Sequence, residues 1–175
     1  KHTDQLGKYG ASKVLSVSSE QLDNFNALAY ADVIAQAAQQ EASNVVIISS
    51  SANCKYLAPL LAINLEAGYV PNVIELPYSI TPFNIKSNVF SNKAFANSEI
   101  TTEKKIIGLA KNAFGIVESE TSSIQENFSP VISEDNLHTK VTSVEKSTDK
   151  ITIADADIVV SGGRGLKRSE ERRVG

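Results

Sequence analysis

The sequence predicts an α/β fold, a Rossmann-like parallel sheet in a three-layer sandwich with added antiparallel strands. Three observations carry this prediction. Strand-like and helix-like segments alternate through residues 12–76, and shorter, partly alternating apolar segments follow them. Near the end of the chain an apolar run leads into a glycine-rich corner at residues 161–165. Strand–helix–strand alternation is typical of a parallel sheet with right-handed crossovers.

The first strand and helix come from residues 12–40. Residues 12–18 (SKVLSVS) predict a short strand, and a helix is expected from an N-cap at Asp23 or Asn24 to about Gln40. The apolar positions of this helix recur at helical spacing: Phe25, Leu28, Ala29, Val33 and Ala37.

The second repeat of the alternation spans residues 45–76. Residues 45–48 are a continuous apolar run, which is typical of a parallel strand covered on both faces. A helix is expected over residues 57–66, with Pro59 tolerated in its first turn and Gly68 ending it. Residues 73–76 predict the next strand.

The pattern then changes to short segments separated by polar turns. Residues 85–90, 94–100 and 105–109 predict antiparallel strands that extend the sheet. Residues 118–137 are rich in Ser, Glu, Asp and Asn and predict a surface loop, anchored by Phe128 and Val131.

The last predicted strands lead into the glycine corner. Residues 139–144 alternate and predict one more strand, and residues 151–153 continue toward the corner. Residues 158–160 are apolar and bounded by turn formers, which predicts a buried strand.

The corner itself is the strongest candidate for a ligand site. Gly163 and Gly165 allow a sharp backbone turn and bring N–H groups close to a ligand. Successive N–H groups of this kind form an anion-binding concavity that suits the phosphates of a dinucleotide. Arg164 adds a fixed positive charge and a planar fork of donors. The corner matches neither the G-x-G-x-x-G fingerprint nor the P-loop, so a purely structural turn is the alternative.

Composition narrows the class of protein. The 175 residues are 42% hydrophobic and carry a net charge of −3, which argues against nucleic acid as the main partner. No apolar run approaches the roughly 20 residues of a membrane span. A single cysteine, Cys54, cannot form an internal disulfide.

Both ends of the sequence look like cut ends. Methionine is absent, so residue 1 is not a translation start, and any targeting segment is expected upstream. Arginine occurs at four positions, Arg164, Arg168, Arg172 and Arg173, while the first 163 residues use lysine alone. Residues 168–175 are therefore predicted to be a non-native tail, with a natural charged terminus as the alternative.

Other candidate residues favour structural roles. The polar loop at residues 49–53 is expected at the carboxyl end of a parallel strand, where open α/β sheets bind ligands. It could hold a phosphate or a ribose, but Ser and Asn more often cap the helix that begins near Lys55. Cys54 is expected to be a small packed residue. His2 and His138 lack ligand spacing, so no metal site is expected. Two carboxylates that enter the last strand, Asp155 and Asp157, are expected to be solvated or in a turn.

These motifs resemble the alpha subunits of electron transfer flavoproteins, from about Lys8 to Lys167. The most specific stretch is ADADIVVSGGRGLK at residues 154–167; KYGASKVLSVSS, AYADVIAQAA and SSSANCKYLAPLLAINLEAGYVPNVIEL support it. The resemblance implies that residues 1–153 form an amino-terminal domain similar to the adenine nucleotide alpha-hydrolases, without its first strand and helix. It also implies that residues 154–167 begin an FAD-binding domain.

The resemblance implies an electron carrier and not an enzyme. Its cofactor would be FAD, contacted by Arg164, with Gly163 and Gly165 bending the backbone beside it and the remaining pocket incomplete. The implied partners are an electron transfer flavoprotein beta subunit, acyl-CoA dehydrogenases as donors and an electron transfer flavoprotein–quinone oxidoreductase as acceptor. Nucleic-acid binding and membrane insertion are not expected. The implied location is the cytoplasm of a bacterium, or the mitochondrial matrix of a eukaryote.

Two other classes of function stay open. One is an adenine-nucleotide-binding α/β enzyme that uses residues 49–53, and the other is a non-catalytic subunit-interaction module. Because the sheet is expected to lack strands, we also expect unpaired strand edges and exposed apolar faces.

Overall fold

The structure, a computed structural model, describes residues 3–139, 141–143 and 158–162. The chain divides into two units, Lys1–Val141 and Thr142–Gly175. The helices and strands of the described residues all lie in the first unit. They are β1 Lys13–Ser16, α1 Ala27–Gln40, β2 Val45–Ser49, α2 Cys54–Leu65, β3 Gly68–Val73, β4 Ser79–Ile80, β5 Phe83–Val89, β6 Ala94–Ile100, β7 Lys105–Leu109 and β8 Ile124–Asn127.

The larger sheet is mixed and confirms the α/β class. Its strands lie in the order β2-β7-β3-β5-β4, and a sixth strand, β6, also pairs with β5. Strands β2, β7 and β3 run parallel, and the pairs formed by β5 with β3, β4 and β6 are antiparallel. A separate two-stranded parallel sheet joins β1 to β8.

Two apolar clusters flank the central strand β7. Ile106 packs with both helices, and Ile107 packs on the other side with residues of β3, β5 and β6. Adjacent strand residues point to opposite faces, so the Ile106–Ile107 pair supplies one side chain to each cluster. The prediction that residues 105–109 form an antiparallel strand is wrong, because β7 lies between β2 and β3 and is parallel to both. A continuous apolar run is the usual sign of such a strand.

Helix α1 begins later than predicted. Asn26 is its N-cap, since its side-chain oxygen accepts from the backbone N–H groups of Leu28 (3.0 Å) and Ala29 (3.3 Å). Asp23 instead closes a short 3₁₀ helix, Glu20–Leu22, so the prediction of a cap at Asp23 or Asn24 is wrong. Local capping chemistry favoured several neighbouring Asn and Asp residues equally.

The buried side of α1 is made of small residues. Ala31, Ala35 and Ala38 are buried against Leu61 of α2, whereas the predicted core position Leu28 is 38% exposed. Small side chains permit close helix–helix approach, so α1 turns its alanines toward α2.

Helix α2 and strand β3 differ from their predicted bounds. Helix α2 starts at Cys54, so exposed Pro59 lies in its second turn and not in its first. The helix is ended by Glu66, whose backbone is left-handed with φ 51°, and not by Gly68 as predicted. Gly68 is instead the first residue of β3, which ends at Val73, where the predicted strand begins. The register of β3 is irregular between Val70 and Val73, so its residues do not show the regular alternation by which a strand is recognised in a sequence.

Only one face of β2 is covered, which corrects the prediction for residues 45–48. Val46 and Ile48 pack against the helices, while Val45 is 40% and Ile47 is 60% exposed. Among the described strands β2 pairs with β7 alone, so it is an edge strand. The exposed edge and face agree with the expectation of an incompletely covered sheet.

The remaining segments are partly as predicted. Residues 85–90 and 94–100 are confirmed as antiparallel strands, β5 and β6. The predicted loop at residues 118–137 contains β8 and a 3₁₀ helix, Glu134–Leu137. Phe128 is half-buried, but Val131 is 78% exposed, so its side chain is not an anchor.

The strand predicted at residues 139–144 is not formed where the structure describes it, because residues 139 and 141–143 carry no strand. Residues 151–153 lie outside the described part, so their prediction stays a prediction. The prediction of a buried strand at residues 158–160 is wrong, because these side chains are 84%, 51% and 91% exposed. A strand needs a neighbour for its backbone groups, and no described strand pairs with these residues. The predicted domain boundary at residues 153–154 lies outside the described part and stays a prediction.

Candidate functional site

The residues of the predicted corner that were assigned to the cofactor lie outside the described part of the chain. Gly163, Arg164 and Gly165 are not described, nor are the nearby carboxylates Asp155 and Asp157. Only the first two residues of the corner, Ser161 and Gly162, are described, and both are exposed. The assignment of the corner to a cofactor therefore stays a prediction from sequence.

The polar loop at residues 49–53 lies at the carboxyl ends of the parallel strands, as predicted. The Ser50 N–H donates to the carbonyl of Leu109, 2.8 Å away, which joins the ends of β2 and β7. Open α/β sheets bind ligands at this edge. The loop then enters α2, so its side chains lie at a helix N-terminus.

The loop hydroxyls are engaged by the protein itself. Ser51 Oγ accepts from the Cys54 N–H (3.4 Å), which supports the capping interpretation, and Ser50 Oγ accepts from the Asn72 N–H (3.2 Å). Asn53 makes no side-chain capping bond. The hydroxyls therefore hold the loop to α2 and β3, which weakens the case for a phosphate or ribose here.

Cys54 is packed, as predicted, and contacts a tyrosine that the sequence did not single out. Its side chain is 3% exposed, and its Sγ lies 3.9 Å from the hydroxyl of Tyr69 on β3. Burial, with a smaller contribution from the nearby Cys54, raises the pKa of Tyr69 to about 12. Tyr69 therefore stays protonated at neutral pH and does not act as a base; in its contact with Cys54 either group can be the donor.

A glycine in the central strand permits this close arrangement. A side-chain carbon at Gly108 would lie 3.0 Å from Ser50 Oγ, 3.1 Å from the Tyr69 hydroxyl and 3.2 Å from the backbone of Pro71. The bare backbone of β7 thus lets the loop and β3 approach each other. Gly108 follows two buried isoleucines, and a glycine in a strand interior is the signal that could have marked this approach.

The resulting pocket is small. It has a volume of about 250 Å³ and is lined by the serines, Cys54, Lys55 and Tyr69. Drug-sized ligands occupy pockets of roughly 300–1,000 Å³. The pocket combines one cation with engaged hydroxyls, and it suits a small anion better than a nucleotide.

A larger cavity lies at the carboxyl end of β1 and was not predicted. Its volume is about 570 Å³, its walls include Leu15, Val17 and Tyr30, and two carboxylates, Glu20 and Asp23, line it as well. Like charges repel, so these carboxylates disfavour a phosphate there.

Two other features, a metal centre and a membrane-spanning helix, are absent from the part of the chain that the structure describes. No group of three or more His, Cys, Asp or Glu side chains there could hold a metal ion. No helix among those residues has the length and apolar character needed to cross a membrane.

Comparison with known proteins identifies the family. The model of the electron transfer flavoprotein domain matches residues 1–134, more than half of the chain. The chain belongs to the electron transfer flavoprotein family. The matched residues include every strand and both α-helices described above.

Individual relatives in the electron transfer flavoprotein family extend the similarity toward the carboxyl end. The electron transfer flavoprotein subunit alpha of Bacillus subtilis (strain 168) is 31% identical, over 95% of this chain and 51% of its own length. The subunit alpha of Megasphaera elsdenii is 25% identical, over 98% and 52%. The acryloyl-CoA reductase electron transfer subunit beta of Anaerotignum propionicum is 23% identical, over 94% and 53%. The chain thus spans about half the length of the relatives it matches.

Proposed function

We propose that this chain is the amino-terminal part of the alpha subunit of a heterodimeric, FAD-containing electron carrier. The observation that carries the proposal is the electron transfer flavoprotein domain over residues 1–134, extended by similarity to subunit alpha of B. subtilis over 95% of the chain. In this proposal the first unit is a structural platform, and the flavin is held by residues from the glycine corner onward.

The corner residues have the chemistry that this role needs. Gly163 and Gly165 allow backbone N–H groups to approach a diphosphate, and Arg164 provides a permanent positive charge. A positive charge beside a flavin favours its anionic reduced form by Coulomb attraction. When bound, the flavin supplies the redox chemistry, and the protein supplies its binding, orientation and electrostatics.

The partners are proposed from the resemblance and from the relatives' names. We propose a beta subunit as the obligatory partner, acyl-CoA dehydrogenases as donors and an electron transfer flavoprotein–quinone oxidoreductase as acceptor, in the cytoplasm if the source is a bacterium. A relative named as an electron transfer subunit of acryloyl-CoA reductase supports a link to acyl-CoA chemistry. The carrier itself needs no nucleophile or general base, because electron transfer depends on the cofactor and on docking.

The test is to purify the complete gene product together with its neighbouring beta-type chain and to measure flavin by absorbance and by release of free FAD. We expect a yellow complex with one FAD per heterodimer. A colourless complex would reject the electron-carrier proposal and favour the interaction module. A colourless protein stabilised against heating by an adenine nucleotide would favour the nucleotide-binding enzyme.

A variant series in the same complex tests the corner. Arg164→Ala should lower the FAD retained after gel filtration, Arg164→Lys should retain more because it keeps the charge, and Lys167→Ala serves as the matched control. Flavin content that is equal in all three variants and in the parent would remove Arg164 from the site.

A further inference from the structure

The segment of residues 129–139 lies along α1 and is attached to it by polar contacts. Gln36 of α1 holds the backbone of Val131 at two points: its Nε2 donates to the Val131 carbonyl (2.7 Å), and its Oε1 accepts from the Val131 N–H (3.0 Å). A primary amide carries one donor group and one acceptor, so the Gln36 side chain can form with Val131 the two backbone hydrogen bonds that a neighbouring strand would form.

Two further side chains repeat this attachment. Asn136 Nδ2 donates to Oδ2 of Asp32 (3.2 Å), and Asn26 Nδ2 donates to the Thr139 carbonyl (3.4 Å). Asp32 and Gln36 are one helical turn apart, so they lie on the same face of α1. The segment is therefore held at three places along the helix.

Apolar burial contributes little to this attachment. All residues from 129 to 139 are described, and none of them is buried; Val131 is 78% exposed even though its backbone is held at both polar groups. The two hydrogen bonds between Gln36 and Val131 are exposed to solvent, so water competes for them, whereas the bond between Asp32 and Asn136 is partly buried. Elements with few buried apolar contacts open locally at a much lower free energy than the whole domain unfolds.

We propose that residues 129–139 form a releasable strap, which leaves α1 while the helix stays folded and so frees the chain that leads to the unit Thr142–Gly175. The division of the chain falls just beyond the strap, at Val141 and Thr142. An extended residue spans about 3.4 Å, so release of this segment adds up to about 35 Å of reach. The strap thus sets the length of the connection between the two units. This inference does not depend on the proposed function.

Hydrogen–deuterium exchange on the full chain tests release. The Val131 amide should exchange at least tenfold faster than the amides in the middle of α1, in conditions where the protein is folded. In Gln36→Ala the exchange of Val131 should rise about tenfold further while α1 is unchanged; Gln40→Ala, at the exposed end of the same helix, is the matched control. Gln36→Glu keeps the size but replaces the donor with an acceptor, so it tests the same bond should the alanine variant not fold.

Spin-label distances test the change of length. Labels at Gln40→Cys and Ser161→Cys, in a Cys54→Ala background, should show a longer and broader distance distribution when Gln36→Ala is added. Equal exchange rates for Val131 and α1 would overturn the strap, because the segment would then open only with the core. Exchange or distances unaffected by both Gln36 variants would overturn it equally.

Discussion

Gly68→Ala should destabilise the first unit through a steric clash that the structure locates. A side-chain carbon at Gly68 would lie 2.6 Å from Cγ2 of Ile100 and 2.9 Å from Oγ1 of Thr102. Carbon atoms pack at about 3.5–4.0 Å, so one partner must move by about 1 Å. Ile100 is 6% exposed and belongs to the core cluster with Ile85 and Ile107, which leaves it little space.

The other partner is fixed as well. Thr102 Oγ1 accepts from the Gly68 N–H (2.8 Å) and donates to the Lys104 carbonyl (2.7 Å), so it links the start of β3 to the start of β7. Overpacking of this kind costs about 1–3 kcal/mol. For a loss of about 2 kcal/mol and a slope of about 2 kcal/mol per molar urea, the unfolding midpoint falls by about 1 M.

Urea unfolding followed by far-UV circular dichroism measures the effect. The control is Gly115→Ala, where nothing lies within 4 Å of the added carbon. A double variant with Ile100→Ala removes the clashing methyl group, so its loss should be smaller than the sum of the two single losses. The clash is refuted if Gly68→Ala and Gly115→Ala unfold at the same urea concentration.

Three further predictions concern the core, pH dependence and the exposed sheet face. Leu61→Ala should cost about 2–5 kcal/mol in urea unfolding because Leu61 is fully buried, and Ile63→Ala, 73% exposed on the same helix, should cost under about 0.5 kcal/mol; equal losses would contradict the assigned faces. Because the pKa of Tyr69 is raised to about 12 in the folded protein, the unfolded chain releases this proton first, and the stability linked to it is present below pH 10 and lost as pH rises toward about 12. The free energy of unfolding of Tyr69→Phe should therefore fall less across that range than that of the parent. Parallel curves of stability against pH for the two proteins would refute the raised pKa. Ile47 is exposed on the uncovered face of β2, so Ile47→Lys should reduce self-association in sedimentation velocity without loss of stability. Val46→Lys, on the face that packs against the helices, should unfold the protein. Sedimentation unchanged by Ile47→Lys would show that this face does not self-associate.

Much of the first unit could be predicted because its signals are local. The apolar periodicity of α1, the apolar run of β2 and the alternation of β5 and β6 each depend on residues close in sequence. The loop at residues 49–53 was placed at the carboxyl end of a parallel strand for the same reason, and its capping role followed from the chemistry of serine. The glycine corner also carried its family resemblance within a short stretch.

Other features depend on which residues meet across the sheet, and sequence alone does not record that. Whether residues 105–109 form a parallel or an antiparallel strand was decided by the two clusters that receive Ile106 and Ile107. Gly68 looked like a helix terminator but is required by the approach of Ile100. The contact of Cys54 with Tyr69 joins residues 15 positions apart.

The sequence by itself therefore determined the class of fold, the order of most elements and the family, because periodicity and short motifs are properties of neighbouring residues. Only the tertiary structure decided the strand order, the face of each strand that is buried and the side chains that share a pocket. Those choices depend on close packing and hydrogen bonding between segments far apart in the chain, where the same local pattern is compatible with more than one partner.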